Sequence, residues 1–134
     1  MFQLELYKAI KTALKNNVTL SGVDVPYFTG TFENKNNGIY ISVYNERNAN
    51  LKQSFGASVD LTITCFVKNS VLDSVVDIAD QVESLMKPLV NDTLLLDTYR
   101  ITVQQKTGRV YFQDIQEGEQ TDRIDLVYNF LIDV

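Results

Sequence analysis

The sequence has no histidine and no tryptophan, a single cysteine and only two prolines. Without His it lacks the side chain that most often serves as general base or metal ligand near neutral pH, and a Ser-His-Asp triad cannot be built. The one thiol, Cys65, can close no disulfide within the chain and has no second thiolate to share a zinc ion with. As a nucleophile it would have no imidazole to activate it. It sits in the run Val59-Asp60-Leu61-Thr62-Ile63-Thr64-Cys65-Phe66-Val67, on the apolar side of the alternation, and reads as a small buried hydrophobe. Neither G-x-G-x-x-G nor G-x-x-x-x-G-K-S/T occurs, so no phosphate-cradling loop is expected. No apolar run approaches the roughly 20 residues that span a bilayer. Glu5 and Lys8 interrupt Phe2, Leu4 and Leu6, so the start does not read as a signal peptide, and folding in cytosol is expected. Positive charge is scarce too: 12 Lys and Arg against 17 Asp and Glu give a net charge of −5, which disfavours a grip on nucleic-acid phosphates. These absences predict a protein that is not an enzyme and needs no metal or other cofactor.

What remains is ordinary for a folded domain. The 134 residues are 45% hydrophobic and 22% charged, enough for one core, and residues 1–134 read as a single domain. Residues 2–16 predict a helix, because Leu6, Ile10, Ala13 and Leu14 share a stripe and Asn16 and Asn17 are plausible stops. Residues 18–38, punctuated by Gly22, Pro26, Gly30 and an Asn-rich turn, predict mostly loop. A strand follows over 39–44, with Ile39, Ile41 and Val43 facing inward and Tyr40, Ser42 and Tyr44 outward. The polar residues 45–54 predict a loop, and 55–68 the clearest strand. Residues 71–87 predict a second helix: Ser70 suits its N-cap, Val71, Val75, Ile78, Ala79, Val82, Leu85 and Met86 form its stripe, and Pro88 ends it. Beyond it, 98–105 predict a strand with Ile101 and Val103 inward, 106–108 a turn, 109–114 a short strand or a bulged extension containing Tyr111 and Phe112, 117–119 a turn, and 123–134 a long final strand. The economical packing is α+β: an antiparallel sheet of four to five strands with two helices on one face.

Two surfaces stand out. Tyr40, Tyr44 and Phe66, with Val127 and Leu131 of the last strand, fall on faces expected to point away from the helices, and either form a candidate subunit interface or are buried by strand twist under the 18–38 loop. In the 45–54 loop, Asn45, Arg47, Asn48, Asn50, Lys52 and Gln53 form a candidate partner-binding segment, expected to order on assembly. The acidic group Asp114, Glu117, Glu119, Asp122 and Asp125 does not have EF-hand spacing and reads as a solvated turn.

Three segments in order carry a resemblance: L-Y-K-A-I-K-T-A-L-K-N-N at the start, S-V-D-L-T-I-T-C-F-V-K-N-S leading to D-I-A-D-Q-V-E-S-L-M in the middle, and F-Q-D-I-Q-E-G-E-Q-T-D-R-I-D-L-V-Y-N-F-L-I at the end. The chain resembles the tail terminator, or tail completion, proteins of long-tailed phages, the gpU-like group and its relatives. The resemblance implies a structural virion protein in the tail or neck, assembled in the host cytoplasm. It implies a homo-oligomeric ring, usually a hexamer, that caps the tail tube protein and meets the head connector or stopper protein. DNA would pass only as cargo, no membrane is involved, and the family has no active site. A neighbouring neck or head–tail joining protein, and a small non-viral protein-binding adaptor domain, remain competing readings.

Overall fold

The structure, a computed structural model, describes residues 2–29, 36–51, 54–68, 72–87, 93–116 and 118–133. The expected N-cap Ser70, Val71 of the helical stripe and the terminating Pro88 lie outside the described residues.

Helix α1 spans Phe2–Leu14, and its buried residues Leu6, Ile10 and Leu14 recur every fourth position. It ends two residues earlier than expected. Asn16 adopts the left-handed conformation, φ 64°, and the Asn17 amide donates to the carbonyls of Thr12 and Ala13 at 3.3 and 3.0 Å. Those bonds satisfy acceptors that the last turn leaves open.

The expected loop 18–38 contains three two-residue strands: β1 Thr19–Leu20, β2 Val23–Asp24 and β3 Tyr27–Phe28. β1 and β2 pair as a hairpin. Its turn residues Ser21 and Gly22 have φ of 52° and 80°, the two positive values that a two-residue turn matched to strand twist requires. The Gln81 side chain ties this hairpin to the second helix. Its oxygen accepts from Thr19 N–H at 3.0 Å, and its amide donates to Thr19 carbonyl at 2.8 Å.

The main sheet adds β4 Asn37–Leu51, β5 Ser54–Lys68, β6 Arg100–Gln116 and β7 Glu119–Asp133, in the order β3-β4-β5-β7-β6. All neighbours are antiparallel except β3 and β4, so the sheet is mixed rather than purely antiparallel. Helix α2, Leu72–Met86, links β5 to β6. The fold is thus α+β, two long hairpins joined edge to edge. The core face presents Val59, Leu61, Ile63, Cys65 and Val67 of β5 and Ile124, Leu126, Tyr128, Phe130 and Ile132 of β7. These pack in one cluster with Leu6, Ile10 and Leu14 of α1 and Val75, Ile78, Ala79, Val82 and Met86 of α2.

Four sequence expectations fail for one kind of reason, backbone irregularity or backbone pairing that side-chain periodicity does not record. The register of β4 on β5 slips between Ile41 and Val43, so Ser42 is an extra residue. Beyond it the alternation inverts: Tyr44, expected outward, opposes Leu61 on the helix side, while Val43, expected inward, is half exposed. Thr102 does the same in β6, so Val103, expected inward, faces out. Residues 106–108, expected to turn, hold a second β6 bulge at Thr107, and the strand continues through it to Gln116. Residues 45–51, expected to be loop, continue β4 in register from Asn45↔Asp60 to Leu51↔Ser54.

Gly38 marks a close approach of the outer layer. A Cβ there would overlap the Phe28 ring and come within 2.9 Å of Phe66 Cε1, whereas at Gly108 it would meet Val127 at an ordinary 3.6 Å. Gly38→Ala should therefore lower stability by about 1–3 kcal/mol as Phe28 is displaced. Gly108→Ala should cost clearly less. Equal urea midpoints for the two variants would contradict this packing.

Candidate functional site

The sheet face turned away from the helices is built from alternate residues of four strands, and the structure redistributes the expected interface across it. Phe66 is on this face but only 3% exposed. Its ring stacks on Phe28 at 6.4 Å and meets Tyr40 edge-on at 6.1 Å, so Phe66 is interior to an aromatic group rather than a contact surface. Tyr44 leaves the face altogether. Its ring packs edge-on against Tyr7 of α1 at 5.3 Å, and its hydroxyl donates to Glu46 Oε1 at 3.4 Å. Burial, and secondly the Glu46 charge, push that hydroxyl's pKa well up. Val127 and Leu131 are where the alternation places them, half-buried on the outer face of β7.

The centre of the face is a polar ladder. The Thr64 hydroxyl donates to Asp125 Oδ1 at 2.8 Å and lies 2.7 Å from the Ser42 hydroxyl. The Asn129 amide reaches Asp60 Oδ1 at 2.8 Å and Ser58 Oγ at 3.1 Å. Arg47 approaches Asp60 at 3.5 Å, an exposed pair worth little. Asn45, Arg47 and Asn48 therefore belong to a β-hairpin arm. Asn50 pairs in that arm with Phe55, and Lys52 and Gln53 lie outside the described residues.

Sequence reasoning read β6 as separate segments around a turn and did not single out its exposed edge, because the bulges masked the alternation. Beside Val127 and Leu131 it exposes Val103, Val110 and Phe112 on the outer face, and Tyr111 and Ile115 on the other. The Arg123 guanidinium sits 4.2 Å from the Phe112 ring centre, a cation–π contact. The Tyr111 hydroxyl donates to Asp122 Oδ1 at 2.7 Å. Asp122 is thus buried, not part of a solvated turn, whereas Asp114 and Glu119 are exposed and Glu117 is outside the described residues.

On the helix side β6 grips α2. Arg109 Nη1 contacts Asp80 Oδ1 at 2.9 Å and Glu83 Oε1 at 3.0 Å, and Lys106 Nζ reaches Glu83 Oε1 at 2.8 Å. Burial would raise the Glu83 pKa, but the hydrogen bonds from Lys106 and Arg109 outweigh it and hold the carboxyl below its usual range. Gln104 donates to the Met86 carbonyl at 2.6 Å, capping the end of α2. At the other flank α1, β3 and β4 enclose an open groove lined by Leu4, Tyr7, Lys11, Tyr27, Tyr40 and Ile41.

Cys65 is buried, and burial first of all pushes its thiol up to about 12. Among the described residues no three His, Cys, Asp or Glu side chains gather as a metal would need, and no helix is long and apolar enough to cross a membrane. Among the described residues the arrangement offers surfaces and strand edges.

No protein-family model matches the chain, and the search of curated proteins found no relative. Solved structures do share its fold. One is a chain of a particle described as the virion of a native gene transfer agent (GTA), with a TM-score of 0.68 and 14% identity. The alignment covers 98% of this chain and 94% of that one.

Proposed function

We propose that this chain is a structural virion protein: a tail terminator, or tail completion, protein that closes into a ring at the end of a tail tube. The observation that carries this reading is the likeness in fold, over nearly the full length of both chains, to a chain of a virion particle. It points the same way as the sequence resemblance, which rests on separate grounds. The surface is consistent with assembly, because it exposes apolar side chains along an edge strand where a monomer gains nothing from them. The ring would most simply hold six copies, contact the tail tube protein on one side and the head connector or stopper on the other, and reside in the virion after assembly in the host cytoplasm. DNA passes through as cargo. A net charge of −5 suits that passage, since a lumen that repels phosphate does not retain it. The role requires no catalysis and no cofactor.

Electron microscopy of the purified protein mixed with tail tubes tests the proposal. A ring of density at one end of each tube is expected. Rings bound only to head connectors would replace it with the neck-protein reading. Binding to neither would replace it with a protein-binding adaptor domain.

A further inference from the structure

We infer that the free protein pairs with a second copy of itself through β6, edge to edge about a two-fold axis at Tyr111. The pairing follows from register, exposure and charge and does not rest on the ring reading.

The two edges of the sheet are unlike. β3 covers β4 at Ile39 and Tyr40, and farther along Asn45, Glu46, Arg47 and Asn48 are exposed and polar, with no apolar side chain to bury. β6 is the other edge, paired only with β7. Edges of soluble proteins are usually blunted by bulges, lysine or proline. The first half of β6 has its bulges at Thr102 and Thr107, and Lys106 between them. From Gly108 to Gln116 the register on β7 is unbroken, and the stretch contains neither lysine nor proline. Its one cation, Arg109, contacts Asp80 and Glu83 of α2 and does not guard the edge. Val110, Tyr111 and Phe112 are nonetheless 45%, 43% and 41% exposed.

A two-fold axis normal to the sheet runs two β6 strands antiparallel and joins two five-stranded sheets into one. Facing residues then lie on the same side of the joined sheet, and their identities select the register. With the axis at Tyr111, Val110 faces Phe112 of the second copy on the outer side, twice by symmetry. Tyr111 faces its own equivalent on the helix side, Arg109 faces Gln113, and Asp114 faces Gly108. Aromatic–aromatic and aromatic–β-branched pairs of this kind stabilise a sheet, and no two like charges oppose. Moving the axis one residue toward the hairpin tip sets Val110 against Asp114. Moving it one residue the other way sets Phe112 against Gly108 and runs the pairing into the bulge at Thr107.

The two rings at the centre are held before a partner arrives. Arg123 sits 4.2 Å from the Phe112 ring centre, and the Tyr111 hydroxyl is bonded to Asp122 at 2.7 Å. Pairing therefore costs these side chains little further freedom. The contact is short, residues 108–114 of each copy, which places it among weak and reversible interfaces. A ring whose copies all point one way has no two-fold between neighbours, so the pair opens wherever such a ring forms.

Sedimentation of the full chain tests the pairing. The mean mass of the wild type should rise from one chain toward two as concentration increases. Val110→Lys sets an ammonium against Phe112 and Arg123 of the second copy and should raise the dissociation constant roughly tenfold or more. It should melt within a few degrees of the wild type, because Val110 is on the surface. Cross-linking tests the register, at concentrations where each variant sediments as a pair. Tyr111→Cys places two thiols across the axis about 4.5–5.5 Å apart at Cα, within the span of a disulfide. Gln113→Cys places them roughly 13 Å apart along the strands, beyond that span. Cys65 is buried and does not compete. With oxidised glutathione, Tyr111→Cys should give a roughly tenfold higher yield of linked pairs than Gln113→Cys. Equal yields overturn the axis at Tyr111. A wild type that keeps the mass of one chain at every concentration, or a Val110→Lys that pairs as the wild type does, overturns pairing through β6. No tail tube enters these measurements, so their failure leaves the ring reading standing, and tube ends without rings leave the pairing standing.

Discussion

Ile63→Ala should destabilise the protein by about 2–5 kcal/mol, the range for truncating a fully buried aliphatic side chain in a core that collapses only partly around the cavity. Ile63 lies near the middle of β5, the central strand. It is fully buried, paired with Ile41 on one side and Leu126 on the other, in the cluster that includes Val75, Ala79 and Val82 of α2. Its loss therefore removes contacts from the sheet and from the helix layer together. Val43→Ala is the informative comparison. Simple alternation would put Val43 beside Ile41 on the core face, and its truncation would cost a similar amount. The bulge at Ser42 instead turns Val43 outward at 50% exposure, and a loss below about 1 kcal/mol is expected. Urea midpoints at constant m-value decide both. A loss under about 0.5 kcal/mol for Ile63→Ala would show that β5 is not the centre of the fold.

That comparison also shows why part of the structure was legible in the sequence and part was not. β5 and β7 announce themselves because one face of each meets the helices and the other does not, so every second residue is apolar from Val59 to Val67 and from Ile124 to Ile132, with polar residues between them except at Phe66, Val127 and Leu131. The stripe of α2 is equally plain. The bulges at Ser42, Thr102 and Thr107 are single extra residues in polar or β-branched company, and nothing in composition marks them. They nevertheless invert every inference downstream, which is how Tyr44 came to be expected outside and Val103 inside. The 45–51 segment was opaque for another reason. Asn45, Glu46, Arg47 and Asn48 are all exposed, so the strand is held by its backbone ladder with β5, which leaves no periodic trace. Of the candidate interface, Val127 and Leu131 were placed on the right face because β7 has no bulge. The edge that matters most to the assembly proposal, β6, was read as a strand, a turn and then either a short strand or a bulged extension. Its apolar residues are read correctly only once Thr107 is known to continue the strand.

The second large effect expected is alkaline unfolding. The chain has no histidine, so no side chain has an ordinary pKa between the carboxylates and the thiol, and stability should be nearly flat from about pH 6 to 8. Above that range four groups, two buried and two half-buried, act in the same direction. Burial pushes the Cys65 thiol up to about 12 and the Tyr27 hydroxyl up to about 12. It is also the leading cause of the upward shifts of Tyr44 and Tyr128. A raised pKa in an acid that ionises to an anion means that the folded state keeps a proton the unfolded state has released. The unfolded state then binds fewer protons, and the unfolding free energy falls as pH rises. The stabilisation is complete below the unfolded values, near 9 for the thiol and 10 for the phenols, and is lost as pH climbs through the folded ones. Each fully buried group contributes a slope of about 1.4 kcal/mol per pH unit in that window, and half-exposed Tyr27 and Tyr44 contribute less because solvent screens them. Tyr128→Phe keeps the ring, which stacks on Phe130 at 6.2 Å, and removes one titrating hydroxyl. The slope between pH 10 and 11 should then decrease by about one proton's worth. Cys65 should remain unreactive toward a thiol reagent at pH 8 until urea unfolds the chain. If the wild type has the same urea midpoint at pH 11 as at pH 8, these hydroxyls and the thiol are not held neutral by the core, and the packing assigned to them is wrong.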